Sequence, residues 1–302
     1  DASGEIARDI AAEDPRVVLV DNPAADIPVG LNLAIRASRF PTIVRVDAHS
    51  ELRPGYARRA LATLRRTRAA NVGGVMRADG RSPFQRAVAR AYNSPVGLGG
   101  GAYHGGTEEG PAESAYLGVF RRRVLEEVGG FDESLRRGED WELNLRIRRA
   151  GYRVWFDPAL SVVYWPRESW TRLVRQFRAT GAWRGELVRR YGRRNSLRFF
   201  APPVLVVSAA LSLAVAVLQV LGVVRSPATH VVHGPVAAYA TLVAVVALGR
   251  GGGQGWRDRM WTAAVLPSMH LPWGTGFLWG VVRGARDTVD TSRLDGRNTP
   301  LP

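Results

Sequence analysis

The chain has 302 residues, with 42 arginines and lysines against 27 acidic residues, and carries a formal net charge of +15. It contains no cysteine, which excludes disulfides, thiolate catalysis and cysteine-bound zinc or iron–sulfur clusters. It contains no lysine either, so every basic residue counted is an arginine, and Schiff-base chemistry and a P-loop lysine are excluded.

The first 200 residues alternate strand and helix patterns. A helical pattern before Pro15 opens the chain, and helices are also predicted after Pro28, after Pro54 and from Ser82 onward. Strands are predicted at residues 16–20, 42–46, 71–76, 115–120 and 153–156. This repeat indicates an α/β domain with a parallel sheet between helices.

Two segments have less regular patterns. Residues 95–111 are rich in glycine and poor in apolar anchors, which predicts a mobile loop. The segment that starts at Trp141 alternates and could form a strand. A helix is favoured, because Leu143, Ile147 and Ala150 form one stripe and Gly151 stands at its end.

Three long uncharged segments follow, at residues 202–224, 229–249 and 260–282. The first is long enough to cross a hydrocarbon core of about 30 Å, and its alternative is a buried core helix. The second is interrupted by two histidines and a proline. The third contains Pro267, Pro272 and several glycines, and it fits a span, a re-entrant hairpin or an interfacial segment.

The arginines indicate how these segments are oriented. Five arginines lie within residues 189–198, just before the first segment, and three lie within 250–259, whereas the link between the first two segments holds only Arg225. The positive-inside rule then predicts a multi-pass inner-membrane or plasma-membrane protein with residues 1–200 and 250–259 in the cytoplasm. The positive charge suits contact with anionic membrane lipid. A nucleic-acid partner is not expected, since no helix-turn-helix, zinc-finger or RNP pattern occurs.

Two acidic sites fall where an α/β sheet binds ligands. Asp47 and His49 directly follow the predicted strand 42–46, and a carboxylate with an imidazole suits Mg²⁺ or Mn²⁺ on a diphosphate. The alternative for this short pattern is a solvated turn. Glu139 and Asp140 stand at an apparent helix start, where the alternative is a helix cap or a dipole partner.

Longer stretches carry a family resemblance. The run VRVDAHS, the run from Ser114 to Pro158 that contains GGFDESLRRGEDW, and the run YWPRESWTRLVRQFRATGAWR together resemble family 2 glycosyltransferases. They are most similar to the membrane-bound branch that builds exopolysaccharides such as succinoglycan, and the resemblance extends from residue 1 to about 285. It implies a GT-A (Rossmann-like) glycosyltransferase domain at 1–200, a membrane region at 201–285 and a polar tail at 286–302.

The resemblance also implies roles for the two acidic sites. Asp47 matches the first aspartate of the family's metal-binding DxD motif, and His49 stands where the second often does, so Mg²⁺ or Mn²⁺ is the expected cofactor. Asp140 matches the catalytic base of inverting members, and Glu139 is its neighbour in the ED motif.

The remaining implied site residues contact substrate. Gln176, Trp183 and Arg184 are similar to a loosened QxxRW element, for which an amphipathic interfacial helix is the alternative. Asp1 matches the last aspartate of the DGSxD nucleotide-binding turn. Because the family's first strand and the rest of that turn are absent, the chain is expected to be truncated at its N-terminus.

The function implied is transfer of a sugar, with inversion, from a nucleotide-sugar, expected to be a UDP-sugar, at the cytoplasmic membrane face. The acceptor would be a lipid-linked sugar or a polysaccharide, in exopolysaccharide or cell-envelope glycan synthesis. One alternative is transfer to polyprenyl phosphate. Another is a noncatalytic membrane-anchored module that binds anionic lipid or glycan. A processive synthase is disfavoured, since two or three membrane segments form a poor channel.

Overall fold

The computed structural model describes residues 3–48, 50–100, 103, 105–192, 195–249, 255–286 and 288. The chain divides into two compact units. The first comprises residues 1–46, 55–73 and 109–157, and the second comprises residues 47–54, 74–108 and 158–302.

The first unit contains mostly short elements. Its helices are α1 (Ser3–Glu13), α2 (Ile27–Ala37), α3 (Tyr56–Thr67), α6 (Arg122–Glu127) and α7 (Glu139–Arg149). Its strands are β1 (Thr42–Val44), β4 (Gly110–Pro111), β5 (Tyr116–Arg121) and the first residues of β3 (Asn71–Ala78) and β6 (Val154–Tyr164). The predicted helices at the chain start, after Pro28, after Pro54 and in the segment that starts at Trp141 are therefore confirmed.

The second unit holds the longer helices. Its elements are β2 (Ser50–Leu52), the remainders of β3 and β6, α4 (Pro83–Tyr92), α5 (Pro95–Leu98), α8 (Trp170–Tyr191), α9 (Ala201–Val220), α10 (Gly234–Leu248) and α11 (Trp256–Arg283). Helix α4 begins as its sequence predicts. Ser82 accepts a hydrogen bond from the Gln85 amide, and the Gln85 side chain returns one to the Ser82 amide.

The sheet has the strand order β1-β5-β3-β6-β2, with β4 also paired to β6. The pairs β1–β5, β2–β6 and β4–β6 are antiparallel, with Thr42 opposite Arg121 and Ser50 opposite Tyr164. The α/β class is confirmed, whereas the expectation of a parallel sheet is wrong for these three pairs. Alternation of strands and helices along the chain does not fix direction when the strands that pair are distant in sequence.

Two local predictions also need correction. Residues 16–20 are not a strand, and Val18, Leu19 and Val20 are exposed. A strand needs a hydrogen-bonded neighbour, and in the described part of the chain this segment pairs with none. Within residues 95–111, expected to be a loop throughout, the chain forms α5 and the short β4.

The core of the first unit lies under β5 and α7. Phe120 and Phe131 make an edge-to-face contact, and Leu143 and Ile147 from α7 are fully buried beside them. Leu31 and Ile35 of α2 pack on the same cluster. Leu143 and Ile147 of the stripe predicted for α7 therefore face this core, whereas Ala150 is exposed and follows the helix.

In the second unit, α8 packs against α11 along a line of glycines. A Cβ atom at Gly181 or Gly185 of α8 would lie 2.0 or 2.3 Å from backbone oxygens of α11. A Cβ atom at Gly276 or Gly280 of α11 would lie 2.1 or 1.9 Å from backbone oxygens of α8. Spaced four residues apart on each helix, these glycines let the two backbones approach closely.

In the part of the chain that the structure describes, two helical segments are long and apolar enough to cross a membrane. They are Leu197–Val220, with 24 residues, and Pro227–Leu248, with 22. Few of their side chains are buried. The third uncharged segment, whose form the sequence left open, lies within the single helix α11, with Pro267 and Pro272 inside it.

Candidate active site

The predicted base Asp140 lies at the start of α7, beside an arginine. Gly138 precedes the helix in a left-handed conformation, with φ of 81°, which favours glycine. Glu139 and Asp140 are the first two residues of the helix, so their carboxylates stand at its positive end. The residue at the cap position is Gly138, and the structure records no side-chain cap there. The interpretation of Asp140 as the cap residue is therefore not supported.

The arginine beside these carboxylates is Arg45. Its guanidinium donates to Asp140 Oδ1 through Nη1 and to Glu139 Oε1 through Nη2, the latter at 3.3 Å. Its side chain is 6% exposed, whereas that of Asp140 is 34% exposed. The guanidinium also lies 5.6 Å from the centre of the Phe131 ring. Asp140 thus has one side held by a buried cation while part of its carboxylate remains accessible.

Arg45 is positioned by the sheet. It directly follows β1, and its amide donates to the Gly118 carbonyl at 3.2 Å. Leu117 and Gly118 of β5 are both left-handed, with φ of 59° and 64°. A Cβ atom at Gly118 would lie 2.3 Å from the Phe120 ring. Glycine is therefore required at position 118, whose carbonyl accepts the hydrogen bond from the Arg45 amide.

A buried amide network fixes the backbone at Asp140. Asn144 donates from Nδ2 to the Asp140 carbonyl at 2.8 Å and to Ser114 Oγ at 3.1 Å. Its Oδ1 accepts a hydrogen bond from Asn71 at 2.7 Å. At the other end of α7, the amides of Gly151 and Tyr152 bond to the carbonyls of Arg148 and Ile147, which closes the helix as a Schellman motif.

A second charged cluster in the same unit surrounds Asp157. This carboxylate accepts hydrogen bonds from Arg59 Nε at 3.0 Å, from Arg59 Nη2 at 3.2 Å and from Thr63 Oγ1 at 2.9 Å. Burial, followed by the charge of Asp157, raises the pKa of Tyr56 to about 12. Asp157 ties β6 to α3, and its side chain is only 1% exposed.

The predicted metal site is described only through Asp47, because His49 lies outside the described residues. Asp47 belongs to the second unit, is partly exposed, and its carbonyl accepts the Ser50 amide at 2.9 Å in a turn before β2. Among the described residues, no group of three His, Asp or Glu side chains could hold a metal. The donor chemistry still fits Mg²⁺ or Mn²⁺, since such ions on diphosphates use one or two protein carboxylates together with phosphate oxygens.

The third predicted group lies on α8. Gln176 donates from Nε2 to the Tyr164 hydroxyl at 3.1 Å, and Trp183 donates from Nε1 to the Thr288 carbonyl at 3.0 Å. The Arg184 guanidinium stacks 3.9 Å from the centre of the Phe199 ring. Gln176 and Trp183 are buried, and each of the three has a different partner. Asp1, the predicted nucleotide-binding residue, lies outside the described residues.

Arg45 is the site residue that sequence reasoning missed. The available signal was a charged residue inside the apolar run TIVRV, because a charge buried in a strand requires a partner of opposite charge. That partner lies 95 positions away in the sequence.

Comparisons with known proteins agree on one family. The family described as "Glycosyl transferase family 2" matches residues 1–129. The chain is 32% identical over 281 residues to the succinoglycan biosynthesis protein ExoA of Rhizobium meliloti (strain 1021), and the alignment covers 92% of this chain and 81% of that protein.

A solved structure shares the fold. It is the mannosyltransferase PcManGT from Pyrobaculum calidifontis, in complex with GDP-Man and Mn²⁺. The TM-score is 0.53 at 19% sequence identity, over 92% of this chain and 75% of that one. At this identity the likeness establishes the GT-A fold alone.

Proposed function

This chain belongs to glycosyltransferase family 2, and we propose that it transfers a sugar, with inversion, from a nucleotide-sugar to a lipid-linked or polysaccharide acceptor. The observation that carries the proposal is the Asp140 carboxylate, anchored by Arg45 at the start of α7 yet partly open to solvent. Similarity to ExoA supports a role in exopolysaccharide synthesis.

Asp140 accepts the proton from the acceptor hydroxyl while that oxygen forms a bond to the anomeric carbon of the donor. The bond from the anomeric carbon to the diphosphate breaks at the same time, and the nucleoside diphosphate leaves with the electron pair. One carboxylate base and a single displacement give inversion. Arg45 holds the base in place and stabilises its negative charge.

Asp47, with His49, is the proposed holder of a divalent ion. When bound, that ion supplies Lewis-acid stabilisation of the departing diphosphate. The Mn²⁺ and GDP-Man in the Pyrobaculum mannosyltransferase support a metal and a nucleotide-sugar in this chain as well. The identity of the nucleotide, expected to be UDP, is still a prediction.

A donor panel tests the proposal. Full-length protein in detergent is incubated with membrane lipid extract and, in turn, with radiolabelled UDP-glucose, UDP-galactose and GDP-mannose. We expect one donor to label a lipid or glycan product, and that activity to disappear in EDTA and return with Mn²⁺ or Mg²⁺. Asp47→Ala should not respond to added metal. Binding of glycan or lipid without turnover of any donor would favour the noncatalytic module instead.

The cytoplasmic placement of the catalytic domain is proposed from the arginine distribution. The chain contains no cysteine, so one introduced at Ser226 gives a clean label. We expect a membrane-impermeant maleimide to label it from outside the cell membrane. Labelling only from the cytoplasmic side would contradict the proposed orientation.

A further inference from the structure

The second unit contains a cavity of about 350 Å³ beside the start of α9. It is walled by residues of α5, α8, α9, α10 and α11 and of the turn that precedes α9. Most of its surface is apolar, contributed by side chains such as Leu205, Leu242, Met269 and Trp273. Protein interiors contain few voids larger than a water molecule, whereas ligand pockets begin near ~300 Å³. This volume lies within the range of ligand pockets.

One part of the wall is strongly positive. Arg184 and Arg198 both line the cavity, and their guanidinium carbons lie 3.9 and 4.9 Å from the centre of the same Phe199 ring. Two positive charges thus lie beside one aromatic ring at the wall of one cavity. Among the described residues that line the cavity, none is acidic. Arginine guanidiniums bind phosphate groups through charge and through paired hydrogen bonds, so this part of the wall suits a phosphate.

His270, also in the wall, has both ring nitrogens within hydrogen-bonding distance of protein groups. Its Nε2 lies 3.1 and 3.2 Å from the carbonyl oxygens of Val96 and Gly97, so this nitrogen carries the proton and donates. Its Nδ1 lies 2.8 Å from the Tyr239 hydroxyl. The ring therefore links α5, α11 and α10 at the cavity wall.

The apolar wall continues onto the helices that are long enough to cross a membrane. Ala201, Pro202 and Leu205 of α9 and Leu242 of α10 line the cavity. They belong to the segments Leu197–Val220 and Pro227–Leu248. A ligand that fills the cavity thus meets cations at one place and hydrocarbon-like surface at another.

We infer that this cavity binds the phosphate group of a lipid, with Arg184 and Arg198 on the phosphate and the lipid's hydrocarbon chain along α9 and α10. Two sources have this chemistry, namely the prenyl phosphate end of a lipid-linked acceptor and a phospholipid of the bilayer. Assigning the site to the acceptor rests on the proposed function. The binding of a lipid phosphate does not.

Equilibrium binding tests the inference directly. Full-length protein in dodecyl maltoside is titrated with radiolabelled farnesyl phosphate and, separately, with farnesol, which has the same chain without the phosphate. We expect saturable binding of farnesyl phosphate and at least tenfold weaker binding of farnesol. In Arg184→Gln/Arg198→Gln, farnesyl phosphate should bind at least tenfold more weakly, the loss expected for removing charged hydrogen bonds. The exposed Arg257→Gln on α11 is the matched control and should bind normally.

A second variant controls for the possibility that the first variant misfolds. Leu205→Trp leaves both arginines in place and fills the cavity, so it should also abolish binding while the melting temperature stays near that of wild type. Equal binding of farnesol and farnesyl phosphate, or wild-type binding by both variants, would overturn the inference.

Competition separates the two sources. If unlabelled phosphatidylglycerol displaces farnesyl phosphate at equal concentration, the site binds bilayer lipid; if it needs at least a tenfold excess, the site is selective for the acceptor type. Both outcomes support a lipid-phosphate site. Because binding is measured without sugar transfer, an enzyme that lacks transferase activity but binds farnesyl phosphate counts against the proposed function alone. An active enzyme that does not bind farnesyl phosphate counts against the cavity alone.

Discussion

Two of the arginine–aspartate pairs in the first unit differ in which partner is buried. In the pair Arg45–Asp140 the arginine is buried, at 6% exposure, and the aspartate is 34% exposed. In the pair Arg59–Asp157 the aspartate is buried, at 1% exposure, and the arginine is 52% exposed. The same two side-chain types therefore present an accessible carboxylate in one place and enclose it in the other.

This difference in exposure distinguishes a carboxylate that can react with a substrate from one that stabilises the fold. Asp157 receives two hydrogen bonds from Arg59 and one from Thr63, and its exposure leaves almost no room for a substrate. Asp140 shares its arginine with Glu139, so the buried cation keeps a partner when Asp140 is engaged elsewhere. A carboxylate that must exchange a proton with a substrate needs the exposure that Asp140 has and Asp157 lacks.

The largest expected effect is that of Asp140→Asn. Asparagine keeps the size of the side chain but cannot act as a base, so the transfer rate at matched donor occupancy should fall by about 10²–10⁴-fold. Stability should change little, because Arg45 keeps Glu139. Glu126→Gln, an exposed acid of the same unit, is the control. A rate within about threefold of wild type, well short of the ~10²-fold minimum, would remove Asp140 from the catalytic role.

Arg59→Gln should have the next largest effect, on stability. It removes the guanidinium from a buried carboxylate, which costs about 3 kcal/mol. Thermal unfolding in detergent measures the loss, with the exposed neighbour Arg58→Gln as control. The double variant Arg59→Gln/Asp157→Asn should recover much of the loss, since no buried charge remains. Activity per folded molecule should be unchanged, and a large fall in activity would assign this pair to the site as well.

Arg45→Gln should lower the transfer rate and change its pH dependence. The base loses its anchor, and we expect roughly a tenfold fall in kcat, about 1.4 kcal/mol. The acidic limb of the rate–pH profile should also move to higher pH, because the guanidinium no longer stabilises the carboxylate charge. A merely structural arginine would leave the shape of that profile unaltered.

The smallest expected effect comes from an exposed pair in the same unit, Arg66–Glu109. The Arg66 guanidinium, followed by the Trp155 indole, lowers the pKa of Glu109. Any stabilisation is thus present above the ordinary carboxyl pKa and is lost as the pH falls through the lowered one. Because both side chains are solvent-accessible, Arg66→Gln should cost less than about 1 kcal/mol in thermal unfolding at neutral pH. A larger cost would mean that the stabilisation from these ion pairs does not depend on their burial.

Local signals in the sequence predicted much of this fold. The helix α7, the glycine at its end and the helix start at Ser82 depend on neighbours within a few positions, so they could be predicted without tertiary structure. The segment 16–20 looked like a strand for the same local reasons. Strand formation also requires a pairing partner, which composition does not reveal.

The residues of the candidate site also differ in whether local sequence reveals them. Asp140 was found because its motif is contiguous, and the resemblance supplied its role. Arg45 was not found, because its partner lies 95 positions away and only the pairing of β1 with β5 brings them together. The cavity of the second unit was likewise hidden, since Arg184 and Arg198 come together only through their contacts with the Phe199 ring.

The glycine contact between α8 and α11 has a genetic consequence. Every amino acid that one base change can substitute for glycine carries a Cβ atom. At Gly181, Gly185, Gly276 and Gly280 that atom would lie 1.9–2.3 Å from a backbone oxygen of the opposite helix. No single-base missense change in these four codons is therefore conservative. A single methyl group at any of them would act as a wedge between two helices that have no space for it.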